Sequence, residues 1–410
     1  NTMNTKIRLT LMNFLQYAVW GAWLISLGAY LGNTLKFDGL QIGSFFATMG
    51  IASLFMPAVM GIIADRWIPA QRLLGLCHLF AAGFITLAAT RTDYNSLYTL
   101  VLLSVMFYMP TIALSNSVAY NALDLAKLDS VKHFPPIRVW GTVGFICAMW
   151  VVDLGKMGLS ATQLYFSATL GLILGLYSFT LPNCPINRSG GGKSIVDLLG
   201  LRAFALFKQR KMAIFFIFSM LLGMSLQITN AFADGYIKSF GDTGIHGAKY
   251  LGTFGVEHST ILISLSQISE TLCILLIPFF LKRFGIKRVM LIAMFAWVLR
   301  FALLGAGNPG PGVWMFILSM IVYGVAFDFF NISGSLFVEK ETSAAIRSSA
   351  QGVFMIMTNG LGALIGSYLA GWIVNHYGWP LSWYLFAGFS LVVAIVFAVI
   401  FKYKHDPNRI

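Results

Sequence analysis

The residues with the most chemistry to offer are ionisable side chains set inside long apolar runs. Glu270, Arg300 and Asp328 each lie well inside such a run, and Arg138 opens another directly after Phe134-Pro135-Pro136. An ionised side chain at the centre of a membrane helix costs about 2.5–3.5 kcal/mol on insertion scales, so such residues face a cavity or a partner. A carboxyl group balanced between desolvation, which disfavours its charge, and a nearby cation, which favours it, can load a proton on one side and lose it on the other. One proton descending about 100 mV yields roughly 2.3 kcal/mol, sufficient for about a fifty-fold solute gradient. The chemistry to expect is proton-coupled movement of a solute. Asp328 or Glu270 would carry the proton, with Arg138 positioned to discharge Asp328 and Arg300 serving as a structural counter-ion.

Polar and aromatic neighbours recur around these residues at helical spacing. Arg138, Thr142 and Phe145 form one stripe, Gln227 and Asn230 a second, Gln267 and Glu270 a third. Asp328, Asn331 and Ser335 form a fourth, with Tyr323 and Phe327 one turn apart beside it. Carboxamides and carboxylates interleaved with planar rings suit a neutral, flat, polyhydroxylated ligand, the polar groups taking hydroxyls and heteroatom edges while the rings stack. A single amide in a membrane helix is often interhelical glue, and an aromatic stripe often faces lipid. The two acids argue hardest for function, because keeping them there is expensive.

Other patterns carry less. Gly190-Gly-Gly-Lys193-Ser194 echoes the end of a phosphate-binding loop, but the first glycine of that motif would fall at Asn187 and no strand precedes it. A flexible linker is the better reading. Asn187-Arg188-Ser189 matches a glycosylation sequon on the side expected to be cytoplasmic. Cys77, Cys147, Cys184 and Cys273 are scattered, and His78, His133, His246, His258, His376 and His405 lack metal-ligand spacing. Gly28-x-x-x-Gly32 and Gly362-x-x-x-Gly366 permit helices to approach closely within the molecule. No metal, no cofactor and no catalytic constellation is expected, so neither is an enzyme.

The elements that must hold these residues follow from composition. Of 410 residues 58% are hydrophobic, only 10% are charged and 40 are glycine. Soluble domains carry about a quarter charged residues, so the chain is a polytopic membrane protein. Apolar runs of spanning length start near residues 9, 39, 71, 95, 138, 163, 211, 258, 288, 313, 347 and 382. The first, about Leu9–Leu31, is long enough to span and lacks a convincing cleavage site, so it reads as a membrane helix rather than a signal peptide. Of the 28 Lys and Arg residues, only Lys36, Arg91, Lys156, Lys238 and Lys249 fall in the odd-numbered loops and Arg300 falls mid-span. All the others lie at the termini and in the even loops, which places both termini and the central loop in the cytoplasm. The net charge of +13 is thus orientation, and nucleic acid is not an expected partner.

The loop Gly61-Ile-Ile-Ala-Asp65-Arg66 resembles the signature of the major facilitator superfamily, and Lys282-Arg283-Phe-Gly285-Ile-Lys287-Arg288 is its reduced copy without the acid. The fold expected is therefore all-α: twelve transmembrane helices in two six-helix halves, residues 1–185 and 210–410, joined by a cytoplasmic linker at 186–209. Two halves related in this way place a substrate site near the bilayer midplane. More specific segments resemble the nucleoside:proton symporter family over nearly the whole chain. They are Phe134-Pro-Pro-Ile-Arg138-Val-Trp-Gly-Thr142-Val-Gly-Phe145, Leu226-Gln227-Ile-Thr-Asn230, Ser266-Gln267-Ile-Ser-Glu270, and Tyr323 through Phe327-Asp328-Phe-Phe-Asn331-Ile-Ser-Gly-Ser335. The resemblance implies proton-driven nucleoside import across a bacterial inner membrane by a monomer, in contact with nucleoside, proton and lipid. It implies substrate contacts at Arg138, Thr142, Phe145, Gln227, Asn230, Gln267, Glu270, Tyr323, Phe327 and Asp328. The chain departs from the family pattern at Ser225, at Asp234 and in the loop near 241–256. A facilitator of sugars or another small polar solute is the alternative within transport.

Overall fold

The computed structural model describes residues 2–186, 201–343 and 346–406, and among these there is no strand. A chain this apolar must satisfy its backbone amides and carbonyls within each segment, and helices do so. The α-helices of eight or more residues run in order α1 Thr2–Gly21, α2 Gly39–Arg66, α3 Ala70–Ala89, α4 Tyr94–Leu125, α5 Ser130–Leu154 and α6 Thr162–Ser178. They continue with α7 Arg210–Gly223, α8 Ile228–Ser239, α9 Ser259–Cys273, α10 Ile277–Ala306, α11 Val313–Glu341, α12 Arg347–Met355, α13 Ala363–Tyr377 and α14 Leu381–Ile400. The glycine-rich stretch at 190–194, the Asn187 sequon and most of the linker lie outside the described residues; the linker's far end is a 3-10 helix, Leu201–Lys208.

Nine helical segments among the described residues are long and apolar enough to cross a membrane. That number differs from twelve for physical reasons. Ser259–Ala306 is one 48-residue segment that holds both α9 and α10. Inside it Gly285 takes φ 83° and ψ 170°, a conformation open to glycine, and a side chain there would strike the His405 ring. The expected run Leu9–Leu31 begins earlier, at Thr2, carries Lys6 and Arg8, and is interrupted by turns at 22–26 before Leu27–Ala29 and a π turn at Tyr30–Thr34. Helix α5 likewise starts at Ser130, so Arg138 lies two turns inside it rather than opening it. A second interruption separates α7 from α8 at 224–227. Interrupted helices at membrane depth leave backbone groups able to bind, which makes both breaks informative.

The chain divides into two compact units, Asn1–Phe37 with Ile51–Leu199, and Asp38–Gly50 with Gly200–Ile410. The first part of α2 thus clusters with the second unit, where the Gly39 amide meets the Asn375 side chain. In the first unit, Leu9, Met12, Leu74, Val118 and Leu123 anchor an aliphatic core. The second unit is aromatic inside: Trp297, Trp383, Phe215, Phe316 and Phe337 are fully buried. There Gly362 and Gly366 bring α13 against the carbonyls of Met220 and Met224, so this small-residue pair is internal packing.

Candidate functional site

In the second unit the site grows from one close approach. A Cβ at Gly324 would collide with Ser269, so α11 and α9 touch backbone to backbone. The Ser269 hydroxyl donates to the Ile321 carbonyl and accepts from the Gly324 amide at 3.2 Å. Glu270 follows Ser269 directly, and Asp328 lies one turn beyond Gly324. The two carboxyl groups are consequently within electrostatic reach of each other, and Tyr323 is within reach of both. Asp328 is 3% exposed, and its Oδ2 is buried with no hydrogen-bond partner among the described residues. A full negative charge at that oxygen is costly, and protonation would remove most of that cost.

The aromatic residues beside the acids form a connected set. Tyr323 stacks on Phe327 with centroids 5.7 Å apart and planes 15° apart. Trp297 of α10 meets the Tyr323 ring edge-on at 6.0 Å. Trp297 and Phe327 both line a small cavity within this unit, together with Leu226, Asn331, Thr358 and Asn359. Gln267 is half-buried on α9, one turn before Glu270. Gln227 and Asn230 do not share one unbroken helix as their spacing suggests. Gln227 sits at the break ahead of α8 and accepts from the Asn230 side chain at 3.0 Å, so the pair marks a half-helix N-terminus. Ser335 is absorbed by α12: its hydroxyl donates to the Gln351 carboxamide at 3.0 Å.

The first unit positions its three residues by glycine as well. In Arg138-Val-Trp-Gly141-Thr142-Val-Gly144-Phe145, side chains at Gly141 and Gly144 would strike the Tyr17 ring and the Phe14 carbonyl of α1. The space lets the Arg138 guanidinium lie over the Tyr17 ring, 3.8 Å from its centroid. Phe145 is buried and meets Trp20 edge-on at 6.4 Å, while Thr142 is half-buried one turn after Arg138. Behind this face runs a polar chain that spacing did not reveal. His78 Nε2 pairs with the Gln16 carboxamide oxygen at 2.7 Å, the Gln16 amide donates to the Thr111 hydroxyl at 2.8 Å, and Tyr108 donates to the Gln16 carbonyl at 2.7 Å.

The model of the nucleoside H+ symporter family matches residues 3–406. The chain belongs to that family. It is 50% identical over 410 residues to nucleoside permease NupG of Escherichia coli, covering 98% of this chain and 97% of that one. It is 49% identical over 415 residues to xanthosine permease of the same organism, covering 100% and 98%. The crystal structure of an Asp-to-Ala mutant of the nucleoside transporter NupG superposes with a TM-score of 0.93 at 49% identity, across 97% of this chain and 100% of that one. The fold is thus an all-α membrane fold of major facilitator type, and a member of a symporter family is a transporter rather than an enzyme.

Trp297 and the partners of Asp234 also lay beyond sequence reasoning, in which Asp234 stood out as a departure from the family pattern. Trp297 reads as apolar filling until its ring is seen against Tyr323. Asp234 is 1% exposed and binds Lys238 at 2.6 Å, one turn on, as well as the hydroxyls of Ser259 and Thr260 at 2.7 and 3.0 Å. An acid followed four residues later by a lysine is the available signal for that pair.

Proposed function

We propose that this chain imports nucleosides across a bacterial inner membrane with protons, by alternating access. The observation that supports the coupling is the buried Asp328 carboxyl with an unpartnered oxygen, set in electrostatic reach of Glu270 and beside the stacked Tyr323–Phe327 pair. In this reading Asp328 takes the proton, Glu270 shares its charge state, and Arg138 promotes release. The rings of Tyr323, Phe327 and Phe145 take the base. The amides of Gln227, Asn230 and Gln267, the Thr142 hydroxyl and Glu270 take the sugar hydroxyls and base edges. Twelve crossings in two halves, residues 1–185 and 210–410 with the 186–209 linker, and cytoplasmic termini follow from the apolar runs and the Lys/Arg bias. The working unit is one chain in lipid. Uptake of labelled uridine and xanthosine into proteoliposomes, with and without an inward proton gradient, tests the whole. Gradient-dependent accumulation of either is expected, and absence of uptake for both would sink it.

A further inference from the structure

Arg300 takes part in none of the steps above. It lies on α10 and is 2% exposed, and its partners among the described residues are uncharged. One Nη donates to the Ser319 carbonyl at 2.9 Å and to the Ser266 hydroxyl at 3.4 Å, with the Met320 sulfur at 3.8 Å. Ser319 answers by donating its hydroxyl to the Arg300 carbonyl at 3.0 Å. Nε has no acceptor among the described residues. The expectation of a counter-ion is therefore replaced by a cation held among neutral groups.

Such a group is a poor way to glue helices. Burying it is costly, and apolar side chains of like volume commonly hold a core as well or better. A guanidinium does offer something an apolar residue cannot, a rigid plane that bonds along its edge and stacks on its face. Both uses are visible. The edge is fixed to α9 and α11, and the face lies over Tyr323 with Cζ 4.6 Å from the ring centroid. The other ring neighbours of Tyr323 are Trp297 and Phe327, and both of these line the cavity of this unit. Arg300 is thus one ring removed from the cavity wall, and it is the contact of Tyr323 that is itself bonded to the backbone.

We infer that Arg300 is a positioning residue for substrate recognition. It fixes the plane of Tyr323, which in turn fixes the two aromatic walls, and it does not touch the nucleoside. This rests on the nucleoside reading and deepens it. The test compares wild type, Arg300→Gln, Arg300→Lys, Tyr323→Leu and the double variant Arg300→Gln/Tyr323→Leu. Uridine Kd is measured by equilibrium binding, and KM and Vmax by uptake in proteoliposomes. Both Arg300 variants should raise Kd and KM, by up to about thirtyfold for glutamine, which loses the whole desolvated cation–π contact, while Vmax stays within about twofold. Lysine keeps the charge but loses the plane, so it should not restore affinity, and it supplies a second variant should glutamine misfold. In the Tyr323→Leu background, Arg300→Gln should change Kd by less than about twofold, because its route to the substrate is already gone. Unchanged affinity in both Arg300 variants, a fall in Vmax alone, or an equal loss of affinity in both backgrounds would overturn the inference. Absence of binding and uptake of both uridine and xanthosine in wild type would instead sink the nucleoside reading.

Discussion

The two units bury polar groups in opposite ways. In the first, the fully buried polar residues are neutral: Asn13, Gln16, His78, Thr111 and Gln163 are bonded to one another or to backbone carbonyls. In the second, the buried set includes Asp234, Arg300 and Asp328; among the described residues every fully buried acid or strong base lies there. Neutral amides and hydroxyls fix a frame, since a satisfied network resists rearrangement. Charges are expensive to keep in a membrane and are worth that expense where charge must change. The proposed function assigns proton uptake to the second unit, and to the first a neutral frame carrying Arg138, which promotes release.

The sharpest way to break that assignment is Asp328→Asn. Uphill uridine accumulation should fall to equilibration, a loss of the whole gradient, while exchange of external for internal uridine persists. Glu270→Gln should behave likewise, and unimpaired accumulation in both would remove proton coupling from this unit. Next in size, Asp234→Asn separates structural charge from coupling charge. Breaking a buried pair leaves an uncompensated ammonium and should cost about 3 kcal/mol, seen as a lower unfolding temperature in detergent, with proton-driven accumulation retained by the folded fraction. Loss of coupling at unchanged stability would place Asp234 among the proton groups.

How much of this was legible depends on whether the signal is local. Tyr323 and Phe327 stack because they stand one turn apart on an unbroken helix, and spacing states as much. Gln227 and Asn230 stand at the same kind of spacing, yet a break at 224–227 falls beside them, and no proline announces it. The membrane class and the acids of interest follow from composition and cost. The approach of Gly324 to Ser269 does not, because a contact between distant segments leaves no period in either. The break at Gly285 was legible: the apolar runs starting near 258 and 288 lie on either side of it, although helical hydrogen bonding continues across the residue and joins Ser259–Ala306 into one segment.

The first unit offers two smaller tests of the same contrast. Gln16→Ala would leave the His78 ring nitrogen without a partner and would take from the Thr111 hydroxyl the amide it accepts, while Thr111 keeps its bond to the Tyr108 carbonyl, at a cost of about 2 kcal/mol in stability. Because that network is neutral, the dependence of uptake on the proton gradient should not move; a shift would show that the frame also conducts protons.

The smallest effect is expected at Tyr17, the first unit's counterpart to Tyr323. Each unit sets a guanidinium over a tyrosine ring, Arg138 at 3.8 Å and Arg300 at 4.6 Å, but their exposure differs: Arg138 is half-buried and Arg300 is sealed. Water reaching Arg138 weakens the attraction, so Tyr17→Leu should cost about 1 kcal/mol, near fivefold in uridine Kd, while Tyr17→Phe keeps the ring face and should cost almost nothing. The two stacks also differ in what the ring does. Tyr17 supports a cation that itself belongs to the proposed binding face, whereas Arg300 supports a ring that does. Removing the Tyr17 ring should therefore leave the preference among nucleobases unchanged, and removing the Tyr323 ring should alter it. A Tyr17→Leu variant with shifted base preference in competition binding would mean that Tyr17, too, takes the base, and the division between a frame and a working unit would have to be redrawn.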